Sequence, residues 1–200
     1  MTEFPGLRVF LSASVPLPSR DAAYFNTADT IAIRDSIRAL TMVVVEQQGQ
    51  LVFGGHPAIT PMIRLQIAQT GAPVGKHIIM FQSRFFEPEF PQDNVSFEHI
   101  KYVDAVPDNR DASLQNMRNA MLEQRFSVGL FIGGMEGVEQ EYAMFLQRHP
   151  NVPALPVAST GAAAAMLFDA NEDLQHRYPQ LRDEISYLTL MRDLLKTRDY

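Results

Sequence analysis

Three glycines and a carboxylate stand close together in the stretch "LFIGGMEGVEQEY" (130–142): Gly133, Gly134, Gly137 and Glu141. An apolar run that ends on two glycines brings bare backbone to a turn. A helix starting just beyond turns its free amides and positive dipole end outward, which suits phosphate. Glu141 falls one helical turn past Gly137, on the same face. A carboxylate so placed can stabilise the positive charge that develops on a ribose when an N-glycosidic bond breaks, and can orient a water. Arg118, in "NMRNAM", is a partner for a phosphate through its bidentate fork. Glu141 and Arg118 are therefore the candidate catalytic pair. Met135, Glu136 and Gly137 complete the candidate anion loop, although acids in a first helical turn also serve the helix dipole.

Glycines and small residues recur wherever an apolar run ends. The first run closes on Ser12, Ala13 and Ser14, the second on Gly54 and Gly55 followed by His56, and the last on Ser159, Thr160 and Gly161. In an open parallel sheet, ligands sit at the carboxyl ends of the strands. These four stretches are expected to form one ligand rim. Arg84, in "FQSRFF", is a further anion candidate, and His56 either lines the site or is an idle loop residue.

The elements that position these residues alternate. Strands are expected at 7–14, 50–55, 76–83, 96–103, 127–134 and 154–160. Helices are expected at 29–49, 57–71, 111–124, 136–149 and 161–170, and segment 85–95, with two prolines, reads as loop. The strands are continuous apolar runs, as in a parallel sheet covered on both faces. The expected fold is a single Rossmann-like, doubly wound α/β domain over residues 1–200, closed by a C-terminal amphipathic helix at 179–197. Leu181, Ile185, Leu188, Met191 and Leu195 form one stripe on that helix. The stripe either covers the chain's own sheet or pairs with a second copy, so a homodimer or higher oligomer is expected through it or through the helix at 29–47.

Composition excludes several classes. The chain of 200 residues carries a net charge of −6, which argues against general affinity for nucleic acid or anionic lipid. It lacks cysteine, so there is no thiolate zinc site or disulfide framework, and no close histidine pair suggests another metal. No apolar run approaches membrane-spanning length, and the N-terminus does not read as a signal peptide, so a cytoplasmic location and no membrane partner are expected. Neither G-x-G-x-x-G after the first strand nor G-x-x-x-x-G-K-[ST] occurs, which argues against ordinary NAD-binding and Walker-type sites. No cofactor is expected.

"LVFGGHPAITPMI" and "VGLFIGGMEGVEQEY" resemble the two glycine motifs of the SLOG superfamily, over about residues 7 to 170. That superfamily includes the Lonely Guy-type phosphoribohydrolases and the nucleotide-sensing domains of bacterial conflict systems. The hydrolase members carry P-G-G-x-G-T-x-x-E with an arginine on the preceding helix. Here Gly133, Gly134, Gly137 and Glu141 follow the pattern with one extra residue, and Arg118 stands near the arginine's place. Ile132 replaces the motif proline and Val138 its threonine. The resemblance implies a small-molecule nucleotide as partner. It leaves two functions open: a sensor of a nucleotide or nucleotide-sugar derived from NAD or ADP-ribose, or an N-glycosidase acting on a nucleoside monophosphate. Similarity is greatest to the defence-associated sensing branch.

Overall fold

A computed structural model describes residues 6–19, 21–90, 94 and 97–196. Six parallel strands form one sheet: β1 (Arg8–Ser14), β2 (Gln50–Gly54), β3 (Ile78–Ser83), β4 (Ile100–Val103), β5 (Val128–Gly133) and β6 (Ala154–Val157). Their order is β4-β3-β2-β1-β5-β6. The chain builds outward from β1 to β4, crosses back, and continues from β5 on the other side. The topological switch point therefore lies between β1 and β5, where Ser12 is opposite Phe131 and Ser14 opposite Gly133. The fold is the Rossmann-like α/β architecture expected from the alternation.

Strict alternation within each strand feeds two cores. Val9, Leu11, Leu51, Phe53, Leu130 and Ile132 point to one face, covered chiefly by α2 (Thr30–Glu46), α3 (Ile59–Thr70) and α10 (Tyr187–Leu194). Phe10, Val52, Phe81 and Phe131 point to the other, covered by α1 (Ala22–Phe25), α5 (Arg110–Leu122), α6 (Glu136–Arg148) and α7 (Ala162–Asp169). On this second face the Phe145 ring packs against Gly129, where a Cβ would stand 2.8 Å from it.

Local signals set the helix ends. Asp29 caps α2 by accepting from the amides of Ile31 and Ala32, and Gly71, at φ 70°, closes α3. The cap of α5 is Asn109, which accepts from Ala112. Asp111 lies in the helix's first turn, where its charge complements the dipole. Segment 84–89 is a 3-10 helix rather than a loop, and Val74–His77 forms the short helix α4 before β3.

The expected helix at 179–197 is two helices. It breaks after α9 (Gln180–Asp183), where Glu184 is extended and its carboxylate accepts from the Ser186 amide. The break rotates the stripe: Ile185 falls in it and is 77% exposed, whereas Leu181, Leu190, Met191 and Leu195 are buried. Helix α10 packs on α2 of its own chain, tied at the edge by Arg192 to Glu46 at 2.8 Å. The apolar stripe is thus spent within the chain, as is the inner face of α2. Residue 197, the end of the expected helix, lies outside the described residues. No helix among the described residues is long and apolar enough to cross a membrane.

Removing a buried methyl cluster from α10 therefore acts on folding. Leu190→Ala is expected to cost about 2–5 kcal/mol in urea unfolding, the range for a leucine truncated in a core. A cost near zero would mean that α10 is not packed as described.

Candidate functional site

All four expected rim stretches end at the carboxyl edge of the sheet, as parallel strands require. Two of them are closed upon each other by hydrogen bonds. The Gly134 amide donates to the Ser14 carbonyl at 2.9 Å, and the Gly133 amide to Thr160 Oγ1 at 2.9 Å. The Thr160 hydroxyl in turn donates to the Val157 carbonyl, and the Asp29 amide to the Thr160 carbonyl. Gly133 and Gly134 have φ of 56° and 91°, where an L side chain is strained. A Cβ on Gly134 would collide with Val138, and one on Gly161 with the Thr27 carbonyl.

The glycine pair thus serves chain packing rather than an open phosphate cradle. Val138, standing where the hydrolase motif has threonine, fills the hollow beside Gly134. Ser159 faces the opposite side of the sheet, accepting from the Tyr187 hydroxyl at 3.2 Å. Ala13 packs against the first core. Ser12 Oγ is buried and has no hydrogen-bond partner.

Tyr24 of α1 lies over this corner, buried in the second core. Burial first, and then the neighbouring carboxylates of Glu139, Glu136 and Asp21, push its hydroxyl up to about 12. The first turn of α6 is consequently anionic where a phosphate had been expected.

Arg118 and Glu141 do meet. Arg118 Nε donates to Glu141 Oε1 at 3.2 Å and its Nη1 to Gln140 Oε1 at 2.7 Å. The two side chains are 10% and 15% exposed, and Gly137 leaves room for the guanidinium, whose Nη2 would stand 3.2 Å from a Cβ there. The sequence suggested the two roles through its resemblance to the glycine motif and its arginine. What it missed is that each charge is already neutralised by the other.

An open volume among the described residues lies at the ends of β2 and β3. A cavity of about 280 Å3 is lined by Gly55, His56, Pro57, Gln82, Ser83, Phe86, Glu89, Phe90, Arg110, Leu114 and Met117. Gly55 and His56 were expected there; Gln82, Phe86, Phe90 and Arg110 were not. For Phe86 and Phe90 the signal was the aromatic density of "RFFEPEF", which its proline disguised as plain loop; Gln82 and Arg110 carried none. His56 accepts at Nδ1 from the Ala58 amide at 3.2 Å, and burial holds its imidazole below the ordinary value. Gln82, 5% exposed, accepts at Oε1 from Asn94 at 2.8 Å. Arg110 stands over Phe86 at 5.9 Å, with Asp111 as its ion partner at 3.3 Å. Gly54 sits just below the cavity, its missing side chain leaving room for Met117.

Arg84 is not part of this cavity. It turns outward to Glu87 at 3.0 Å and Asp104 at 3.6 Å, and stacks over Tyr102. The cationic group at the cavity is Arg110. Met117 lines the cavity while Arg118, the next residue, turns toward α6, so the two features share one stretch of α5.

Comparison with known proteins gives a family and a fold. The model of the SLOG cluster3 family matches residues 23–195. No curated protein matches the chain. Among solved structures, the X-ray structure of TM1055, a structural-genomics target, superposes with a TM-score of 0.57 at 13% identity, covering 84% of this chain and 83% of that one.

Two outcomes follow from the closed corner. Gly134→Val is expected to lower the melting temperature sharply or prevent folding, because the left-handed backbone and Val138 both oppose a side chain; a well-folded variant in circular dichroism would refute the packing. Tyr24, one of six tyrosines, is neutral in the folded state up to about pH 12 and in the unfolded chain only to about pH 10. The folded state therefore holds more protons between those values, and stability is present below pH 10 and falls as pH rises through 12. Tyr24→Phe should flatten that loss in alkaline unfolding curves and remove one late-titrating tyrosinate at 295 nm.

Proposed function

The chain belongs to the SLOG cluster3 family, and from that premise we propose that it binds a nucleotide or nucleotide-sugar at the carboxyl ends of its strands as a sensor. The observation that carries this reading is the cavity over β2 and β3. Its walls combine phenylalanine rings for stacking a base, convergent polar groups from Gln82 and His56, and a guanidinium at Arg110 for an anion. Apolar walls with a few placed polar groups are the usual make-up of small-ligand pockets, and about 280 Å3 lies just below their usual range. An NAD- or ADP-ribose-derived ligand fits the family resemblance, and a mononucleotide fits the volume. A place in a conflict system belongs to the same reading.

Sensing is favoured over cleavage by the state of the motif. The Gly134 amide is taken by Ser14, Val138 has no hydroxyl, and Glu141 is held by Arg118. One observation favours the second reading, an N-glycosidase. Arg118 and Glu141 are in direct contact beside Gly137, on the sheet face toward which the unpartnered Ser12 hydroxyl also points. A ligand phosphate that drew Arg118 away would release the carboxylate. Self-association is part of the proposal only through surfaces other than α10, since that helix is covered within the chain; Ile31 on α2 and Leu65 on α3 are exposed.

Titration calorimetry against AMP, GMP, IMP, ADP-ribose, cyclic ADP-ribose and NAD tests binding. Phe86→Ala is expected to weaken the best ligand at least about fivefold, on the scale of a lost base–aromatic stack. Chromatography of the same mixtures tests turnover. If wild type cleaves any of them and Glu141→Gln lowers the rate by about two orders of magnitude, the enzyme reading replaces the sensor. No binding to any of the six would overturn both.

A further inference from the structure

Two polar side chains in the cavity are fixed in orientation by the chain itself. The Ala58 amide occupies Nδ1 of His56, so the ring proton of the neutral imidazole sits on Nε2. Asn94 donates to Oε1 of Gln82, which turns Nε2 of Gln82 away from it and against Gly55. A Cβ on Gly55 would stand 2.5 Å from that nitrogen. Gln82 Nε2 makes no hydrogen bond among the described residues and is not sealed off from the cavity. Both groups line the same cavity. A ligand acceptor would take the place of water on that donor, whereas a ligand donor would leave it unpaired once water is excluded.

We propose that the cavity selects a 6-oxopurine over adenine, with Gln82 Nε2–H and His56 Nε2–H donating to O6 and N7 of the base. The proposal rests on the nucleotide-binding reading above in its mononucleotide form, and it excludes adenine-bearing NAD and ADP-ribose derivatives as the preferred ligand. On that edge guanine and hypoxanthine present two acceptors, O6 and N7, whereas adenine presents N7 beside an amino donor. Two fixed donors meet two acceptors in the first case. In the second, one donor faces another, and a buried donor is left unpaired. Glu89 discriminates in the same direction, since it is the carboxylate among the lining residues. It accepts from the N1–H of an oxopurine and repels the N1 lone pair of adenine. Phe86 and Phe90 supply the flat walls against which either purine would stack, so stacking does not decide between them.

Calorimetry with GMP, IMP, AMP and 7-deaza-GMP on the full chain tests this. GMP and IMP are expected to bind at least about tenfold more tightly than AMP, since a site built for a hydrogen bond discriminates strongly against a ligand that lacks it. 7-Deaza-GMP, which lacks the N7 acceptor, is expected to bind at least about fivefold more weakly than GMP. Gln82→Glu replaces the donor with an anion and is expected to remove most of the preference over AMP. AMP binding as tightly as GMP, or more tightly, overturns the base assignment while leaving nucleotide binding intact. Equal affinity for GMP and 7-deaza-GMP also overturns it, with no variant required. Failure of all four to bind overturns the assignment together with the mononucleotide reading beneath it.

Discussion

Four backbone segments meet at the carboxyl ends of β1, β5 and β6 and satisfy one another. The Gly134 amide bonds to Ser14, the Gly133 amide to the Thr160 hydroxyl, the Asp29 amide to the Thr160 carbonyl, and the Ala163 amide to the Gly134 carbonyl. Buried backbone groups must find partners, and here they find them in one another. This knot fixes the turn from β5 into α6 and the entry into α2 and α7. It also explains three glycines at once. Gly133, Gly134 and Gly161 all have positive φ, and the space each Cβ would need is taken by Ile33, Val138 or the Thr27 carbonyl. The topological switch point, where a doubly wound sheet usually admits a ligand, is occupied by the chain.

Closing that corner moves the open volume two strands over. Above β2 and β3 no such knot forms, because the chain leaving β3 turns into the 3-10 helix Arg84–Glu89 and stands away from α5. The gap between them is the cavity, bounded by Phe86 and Phe90 on one side and by Arg110, Leu114 and Met117 on the other. Electrostatics follow the same division. Glu136 and Glu139 make the α6 end anionic and hold the nearby Tyr24 hydroxyl neutral, while Arg110 supplies the cationic group at the cavity.

The Arg118–Glu141 pair stands between these regions and links them through α5. Two charges this little exposed are kept together because separating them would strand each in a poorly solvated place, and deleting one partner is costly for the same reason. The pair therefore braces α5 against α6, and any ligand group that draws on Arg118 must replace Glu141 and Gln140 as its acceptors.

Much of this molecule was determined by its sequence. Continuous apolar strands such as "GLFI" and capped helices such as that begun by Asp29 dictate a parallel sheet covered on both faces, because period and local hydrogen bonding are properties of short segments. The four small-residue strand ends had to share an edge once the strands were parallel, and the spacing of Arg118 and Glu141 on successive helices brought them within reach. Tertiary structure alone decided which of those ends is open. Whether a glycine faces a ligand or a neighbouring valine depends on what another part of the chain places there, as Val138 and Thr27 show. The tail stripe failed for a related reason: 3.6-residue periodicity continues in the sequence across Glu184–Ser186, but the backbone turns there, and Ile185 leaves the stripe. Gln82, Phe86 and Arg110 carry no mutual spacing at all. They come from a strand end, a 3-10 helix and a helix start, and only folding assembles them around one cavity.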